Sequence, residues 1–342
     1  MANEAEIINN PDSTPGAVST GYQLQNTNLV SQRTGIDKTY VSGGAGTVTV
    51  EISGPVDVNG VMYDIKSQTV LTPPSAGRYY ITLQGAGPQY LTPTLSEVTA
   101  GYAYWSALKN AYYTVGDEYR VLDWLVDFDG TDCRVYRRGI DKIIIWITST
   151  STFISPWSQF YDFELCGKGG NGGTSFWDGA STFMSGGGGG AAAWGWAREK
   201  FISAGISLSA TLSSTSGGNT SITDGSTITL SVQNGYNGAN GSSGGAGGNF
   251  GSSSSGLDKA VSGYNPGSNG TTSAGGAGAN LQCLLQYYGG YGYGGSGGDK
   301  SVGGNSPNYG AGGGGGGLVF VYPNYITCSG GLGGSGFIKI IM

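Results

Sequence analysis

The sequence contains no histidine, and only 11% of its 342 residues are charged. Without imidazole there can be no Ser-His-Asp triad, no Cys-His pair and no His-ligated zinc, so hydrolysis would have to rest on paired carboxylates. The four cysteines, Cys133, Cys166, Cys283 and Cys328, include no CxxC ligand pair and read as free, buried, small apolar groups. A bridge between Cys283 and Cys328 is left open. No run of about 18 apolar residues occurs, which excludes a bilayer-spanning helix. The opening Met1-Ala2-Asn3-Glu4-Ala5-Glu6 is acidic and polar, unlike a secretory signal, so surface exposure would follow leader removal or release by lysis.

Glycine is abundant and unevenly placed. Only 15 of the 67 glycines precede Gly167, leaving 52 in the final 176 residues. Charge divides at the same point: residues 1–166 hold 10 of the 16 basic and 17 of the 22 acidic residues. An acidic first half argues against nucleic acid and anionic membrane as partners, because both bind through basic patches.

Residues 1–38 are polar and rich in turn formers such as Asn9-Asn10-Pro11-Asp12, and read as an extended attachment arm. Residues 39–158 carry short alternating runs bounded by Gly or Pro: 47–52, 61–65, 79–83, 120–126 and 133–136. Such spacing is the signal for an antiparallel sandwich or barrel. Asp129-Gly130 marks a hairpin turn. The run Ile143-Ile144-Ile145-Trp146-Ile147 reads as a strand buried on both faces.

From residue 159 to 342 the character changes. Gly186 to Gly190 and Gly312 to Gly317 are uninterrupted, and other clusters are broken by Ala, Ser or Asn. Gly-rich polar chain ordinarily means a flexible linker. Here the clusters alternate with strands at 206–212, 227–232, 318–322 and 337–341, which a linker does not carry. No Gly-X-Y period exists, so collagen is excluded. Runs of glycine do have one compact arrangement: extended helices of three residues per turn packed side by side, their N–H and C=O groups bonded to neighbouring helices.

The order of these elements resembles a known family. Phe163-Glu164-Leu165-Cys166-Gly167-Lys168-Gly169-Gly170-Asn171-Gly172-Gly173, then the Gly186 run with Ala191-Ala192-Ala193, then Gly330-Gly331-Leu332-Gly333-Gly334-Ser335-Gly336-Phe337-Ile338-Lys339-Ile340-Ile341 is similar to the glycine-rich domain that ends many phage tail fibres. Residues 70–120 resemble β-structured collar modules of such proteins. The resemblance implies an all-β chain: antiparallel β-sandwich-like modules, then a glycine-rich tip of polyglycine-II helices framed by short strands. It further implies a homotrimer in the virion, held to other tail or baseplate proteins by the N-terminal arm. The tip would contact a bacterial surface receptor, glycan or protein, without a cofactor, without membrane insertion and without enzymatic activity.

Remaining motifs are weak. Asp127-Phe128-Asp129-Gly130-Thr131-Asp132 superficially resembles a calcium loop but lacks the third acidic position and the distant Glu. With Asp123 it is also the sole support for a glycan depolymerase. Gly292-Tyr293-Gly294-Gly295-Ser296-Gly297 matches GxGxxG as chance allows amid so much glycine. Tyrosines are the better signal: Tyr287, Tyr288, Tyr291, Tyr293 and Tyr309 are the receptor-contact candidates, set against packing between glycine segments, because Tyr offers area and a hydroxyl at low entropic cost. A subunit of an extracellular filament is the alternative function. The block 251–270, richer in Ser, reads as an exposed loop.

Overall fold

The computed structural model describes residues 39–342 except 59–60, 86–90, 99–102, 107–110, 117–118, 139–140, 180–182, 242–244, 250, 264–265, 272–273, 281–294, 300, 307–308 and 322–323. Among the described residues there is no α-helix, and every strand pair with a described register is antiparallel. The chain divides into two compact units.

The first unit reaches to Lys142 and includes Ile154–Ser158 and Ser203–Ile206. Its strands are β1 (Thr39–Gly43), β2 (Val48–Val58), β3 (Val61–Leu71), β4 (Gly77–Gly85), β5 (Leu91–Glu97), β6 (Ala103–Ser106), β7 (Ala111–Thr114), β8 (Arg120–Phe128) and β9 (Cys133–Arg137). They form a three-stranded sheet, β1-β2-β3, and a second sheet, β5-β4-β8-β7-β6, with β9 also on β8. Alternation explains the join: Val48, Val50 and Ile52 of β2 are buried in one cluster with Tyr79, Ile81 and Leu83 of β4 and Leu122, Trp124 and Val126 of β8. The expected hairpin joins β8 to β9, with Gly130 at φ +103°.

The second unit holds Ile143–Phe153, Gln159–Ile202 and Ser207–Met342. Its strands are β10 (Ile144–Ile147), β11 (Ser151–Ile154), β12 (Gln159–Cys166), β13 (Phe176–Trp177), β14 (Phe183–Met184), β15 (Trp194–Ile202), β16 (Ser207–Leu212), β17 (Asn219–Thr223), β18 (Thr229–Gln233), β19 (Ser254–Ser255), β20 (Lys259–Val261), β21 (Leu318–Val321), β22 (Asn324–Thr327) and β23 (Phe337–Ile341). Two five-stranded sheets, β10-β23-β12-β15-β20 and β11-β16-β17-β18-β19, lie together through β12 and β23 against β17 and β18. Phe163, Leu165, Ile338 and Ile340 of one sheet and Leu208, Ala210, Ile222, Leu230 and Val232 of the other are buried.

Two expectations are corrected. β10 is not buried on both faces: it is an edge strand paired only with β23, so Ile145 and Ile147 point inward while Ile144 and Trp146 remain exposed. The block 251–270 is not only a loop, since β19 and β20 close the edges of both sheets.

Between these strands the glycine segments run without strand pairing, and their backbone bonds follow a different period. Along 167–175, Gly167, Gly170 and Gly173 donate to the carbonyls of Ala193, Gly190 and Gly187 at 3.0, 2.9 and 2.8 Å. Gly169, Gly172 and Ser175 donate to Gly334, Gly331 and Cys328 at 2.9, 2.9 and 3.0 Å. Lys168, Asn171 and Thr174 donate to the side-chain Oδ1 of Asn234, Asn237 and Asn240, each at 2.9 Å. The donors thus turn through three directions and repeat every third residue, whereas a strand alternates between two.

Gly186–Gly190 is enclosed on every side. With flanking residues Ser185 and Ala191–Ala193 it donates to 310–316, to 233–239 and to 268–271, and its carbonyls accept from 167–173, from 276–279 and from Gly248 and Gly251. The run 312–317 is surrounded in the same way, donating to Gly170 and Gly173, to Gly276 and Ala279 and to Ser301 and Gly304, and accepting from 186–189, 295–298 and Gly331. Neither run has room for a side chain: a Cβ on Gly186, Gly188 or Gly314 would fall under 3.0 Å from a carbonyl oxygen of the adjacent segment. The two uninterrupted runs of the sequence are therefore the two enclosed segments.

Candidate functional site

A concave site among the described residues lies in the second unit, where the edge strand β10 comes beside Tyr309 and the segments at 305–306 and 332–335. Trp146 sits opposite Lys339 of β23, and the alternation of an edge strand turns its ring outward, 45% exposed. Tyr309, 44% exposed, stacks on it with centroids 6.3 Å apart and planes at 21°. Buried Phe337 backs both rings, 5.0 Å from Trp146 and 5.1 Å edge-on from Tyr309.

Beside Tyr309 opens a groove of about 430 Å³ lined by Asn305, Ser306, Leu332, Gly333, Gly334 and Ser335. Backbone bonds fix its walls: Ser306 N–H donates to the Leu332 carbonyl at 2.9 Å, and Gly310 N–H to that of Ser335 at 3.0 Å. The Asn305 Oδ1 accepts the Leu332 N–H at 2.8 Å, and a side-chain amide has a second edge that can donate twice. Among the described residues no charged side chain lines the groove.

Behind the rings lies a buried ion pair. Lys339 Nζ is 3.1 Å from Glu164 Oε2 and 5.5 Å from the centre of the Trp146 ring, while Trp194 Nε1 donates to Glu164 Oε1 at 2.9 Å. The charges sit opposite each other in the β12–β23 register, which lets two long side chains meet without bending the backbone. Each charge neutralises the other, so the pair presents no net charge to the groove.

Of the tyrosines marked in the sequence, Tyr309 belongs to this site. Tyr287, Tyr288, Tyr291 and Tyr293 lie outside the described residues. Trp146 was not marked, because an all-apolar run hides which of its residues face outward; pairing at the sheet edge is what reveals it.

The acidic set is dispersed among local partners in the first unit. Asp123 binds Arg138 at 2.9 Å, with the guanidinium of Arg138 over Trp105, Tyr112 and Trp157 at 5.5, 5.0 and 5.7 Å. Asp127 lies 3.6 Å from Arg78. Asp129 accepts the N–H groups of Asp132 and Thr131 in the hairpin, and these hold its carboxyl below the usual carboxylate range. Among the described residues no three His, Cys, Asp or Glu side chains are grouped to hold a metal ion. Cys133, Cys166 and Cys328 are buried and unbridged.

The groove can therefore hold a ligand by stacking and by neutral hydrogen bonds. No protein-family model matches the chain, and no curated protein matches it.

Proposed function

We propose that the chain is the distal part of a bacteriophage tail fibre, a homotrimeric virion protein that attaches to a bacterial surface receptor by non-covalent binding and performs no catalysis. Its glycine segments are polyglycine-II helices. The observation that carries this reading is the three-residue repeat of backbone hydrogen bonds around the two enclosed glycine runs.

A polyglycine-II lattice turns backbone into a rigid interior. Each central residue donates in one of three directions and accepts in one of three others, so N–H and C=O groups are satisfied without side chains. Such an interior needs little apolar area and leaves the connecting loops and rim segments free to carry recognition. An attachment tip requires that combination, because a preorganised surface loses less entropy on binding. The exposed aromatic pair of Tyr309, which lines the groove, and Trp146, stacked on it, supports recognition over mere scaffolding.

A second reading, a subunit of an extracellular filament, is favoured by Phe160 and Phe201. These lie opposite each other on β12 and β15, 63% and 56% exposed, with rings 5.5 Å apart, and would suit a subunit contact.

Fluorescently labelled protein, incubated with a panel of bacterial strains and imaged by electron microscopy in parallel, separates the two. Strain-restricted binding, competed by unlabelled protein and accompanied by discrete trimers, supports attachment. Open polymers with no strain-dependent binding support the filament.

A further inference from the structure

Resting on the attachment reading, we infer that the groove beside Tyr309 and Trp146 binds a neutral sugar unit of a surface glycan. Four observations converge on that ligand class.

The first is the aromatic platform. Two rings stand nearly half exposed while a buried third ring holds them in place, an arrangement that leaves apolar area in water unless something covers it. The apolar C–H face of a pyranose covers such rings, and its hydroxyls remain at the edge.

The second is the polar lining. Asn305, Ser306, Ser335 and peptide groups supply donors and acceptors, which match hydroxyl groups that themselves donate and accept. A phosphate or carboxylate ligand would call for Arg or Lys in the groove, and none lines it among the described residues. Lys339, whose Nζ lies 5.5 Å from the Trp146 ring, is 1% exposed and bound to Glu164. An amphipathic helix would in turn call for a hydrophobic groove.

The third is size: about 430 Å³ falls near the lower end of the roughly 300–1,000 Å³ range of small-ligand sites. That suits a short glycan unit rather than a folded protein surface. The fourth is rigidity. The walls at 305–306, 310 and 332–335 are bonded to one another and, through Gly334 N–H to the Ala311 carbonyl at 2.7 Å, to the segment that continues as the enclosed run 312–317. A weak ligand gains most from a site that does not have to order itself.

The test uses the purified full chain. Saturation-transfer NMR with the methyl glycosides of glucose, galactose, mannose and rhamnose, and with N-acetylglucosamine, should show transfer to at least one. Tyr309→Ala and Trp146→Ala should each weaken that binding at least tenfold. Tyr309→Phe, which keeps the ring, should weaken it less, and Tyr40→Ala, at an exposed tyrosine in the other unit, should not change it. Cell binding should be lost after periodate oxidation of the bacterial surface and should survive protease treatment. Loss on protease treatment alone assigns a protein receptor and overturns the sugar site. Full-strength cell binding by Tyr309→Ala, with no transfer to any glycoside, also overturns it and leaves attachment standing. Absence of binding to every strain overturns attachment itself.

Discussion

Replacing Gly188 by alanine puts the smallest possible side chain where the lattice has no room. Gly188 donates to the Ser268 carbonyl at 2.9 Å and accepts from Gly248 N–H at 2.8 Å. Its new Cβ would meet the Ala277 carbonyl oxygen at well under 3.0 Å. Ala277 cannot simply withdraw, since that oxygen accepts from Ser268 N–H and the adjacent Gly276 and Gly278 donate to Gly186 and Gly295. Overpacking costs about 1–3 kcal/mol. One buried backbone group left unbonded adds about 1–3 kcal/mol. The stiffer unfolded chain returns about 0.4–1 kcal/mol. The net is a destabilisation of about 3 kcal/mol, or a fall in Tm of about 6–12 °C at about 2–4 °C per kcal/mol. The same substitution at Gly44, where a Cβ meets nothing within 4 Å, should be neutral or slightly stabilising. Guanidinium and thermal unfolding followed by tryptophan fluorescence would measure both. Equal effects at the two positions would refute the packing argument.

The asparagine ladder should show a gradient of cost. Asn234 is buried and its amide is fully engaged with Lys168, Thr220, Ser213 and Thr215, so Asn234→Ala should lose about 2–4 kcal/mol in denaturant melts, against about 1 kcal/mol for Asn240→Ala, whose bond is exposed. Lys339→Ala strands a buried carboxylate and should cost about 3–5 kcal/mol, while the double variant Glu164→Leu with Lys339→Met should recover most of that stability. Burial opposes ionisation of Asp224, but the Thr227 hydroxyl and the amides of Ile228, Ser226 and Thr227 outweigh it and depress the carboxyl. A depressed carboxyl contributes stability above its unfolded value of about 3.9 and loses it as pH falls through the folded value. Asp224→Asn, which keeps an acceptor oxygen, should therefore flatten the acid limb of a stability-against-pH curve; an unchanged slope contradicts this.

Much of the architecture is legible in local pattern. Ser207–Leu212 and Phe337–Ile341 are visible as strands because apolar residues recur at the strand period or fill the run. The enclosed segments are visible for a related reason: only an uninterrupted glycine run can be approached from all sides, and Gly186–Gly190 and Gly312–Gly317 are the two such runs. β17 was not visible, because Asn219-Thr220-Ser221-Ile222-Thr223 buries a threonine and an isoleucine within otherwise polar sequence. The spacing of Asn234, Asn237 and Asn240 by three residues was present but carried no meaning until the neighbour at 168–174 was known. The candidate site was half legible. Tyr309 could be marked by residue type, yet its partner Trp146 is distant in sequence and only sheet pairing brings it against Tyr309.

Hydrogen exchange of the backbone amides tests the central claim most directly, since it asks whether the glycine runs are folded at all. In a polyglycine-II lattice the amides of 186–190 and 312–317 are buried and bonded, so they should exchange as slowly as those of β12 at the centre of its sheet. Exchange of both runs at the rate of unstructured chain, while β12 stays protected, would contradict it.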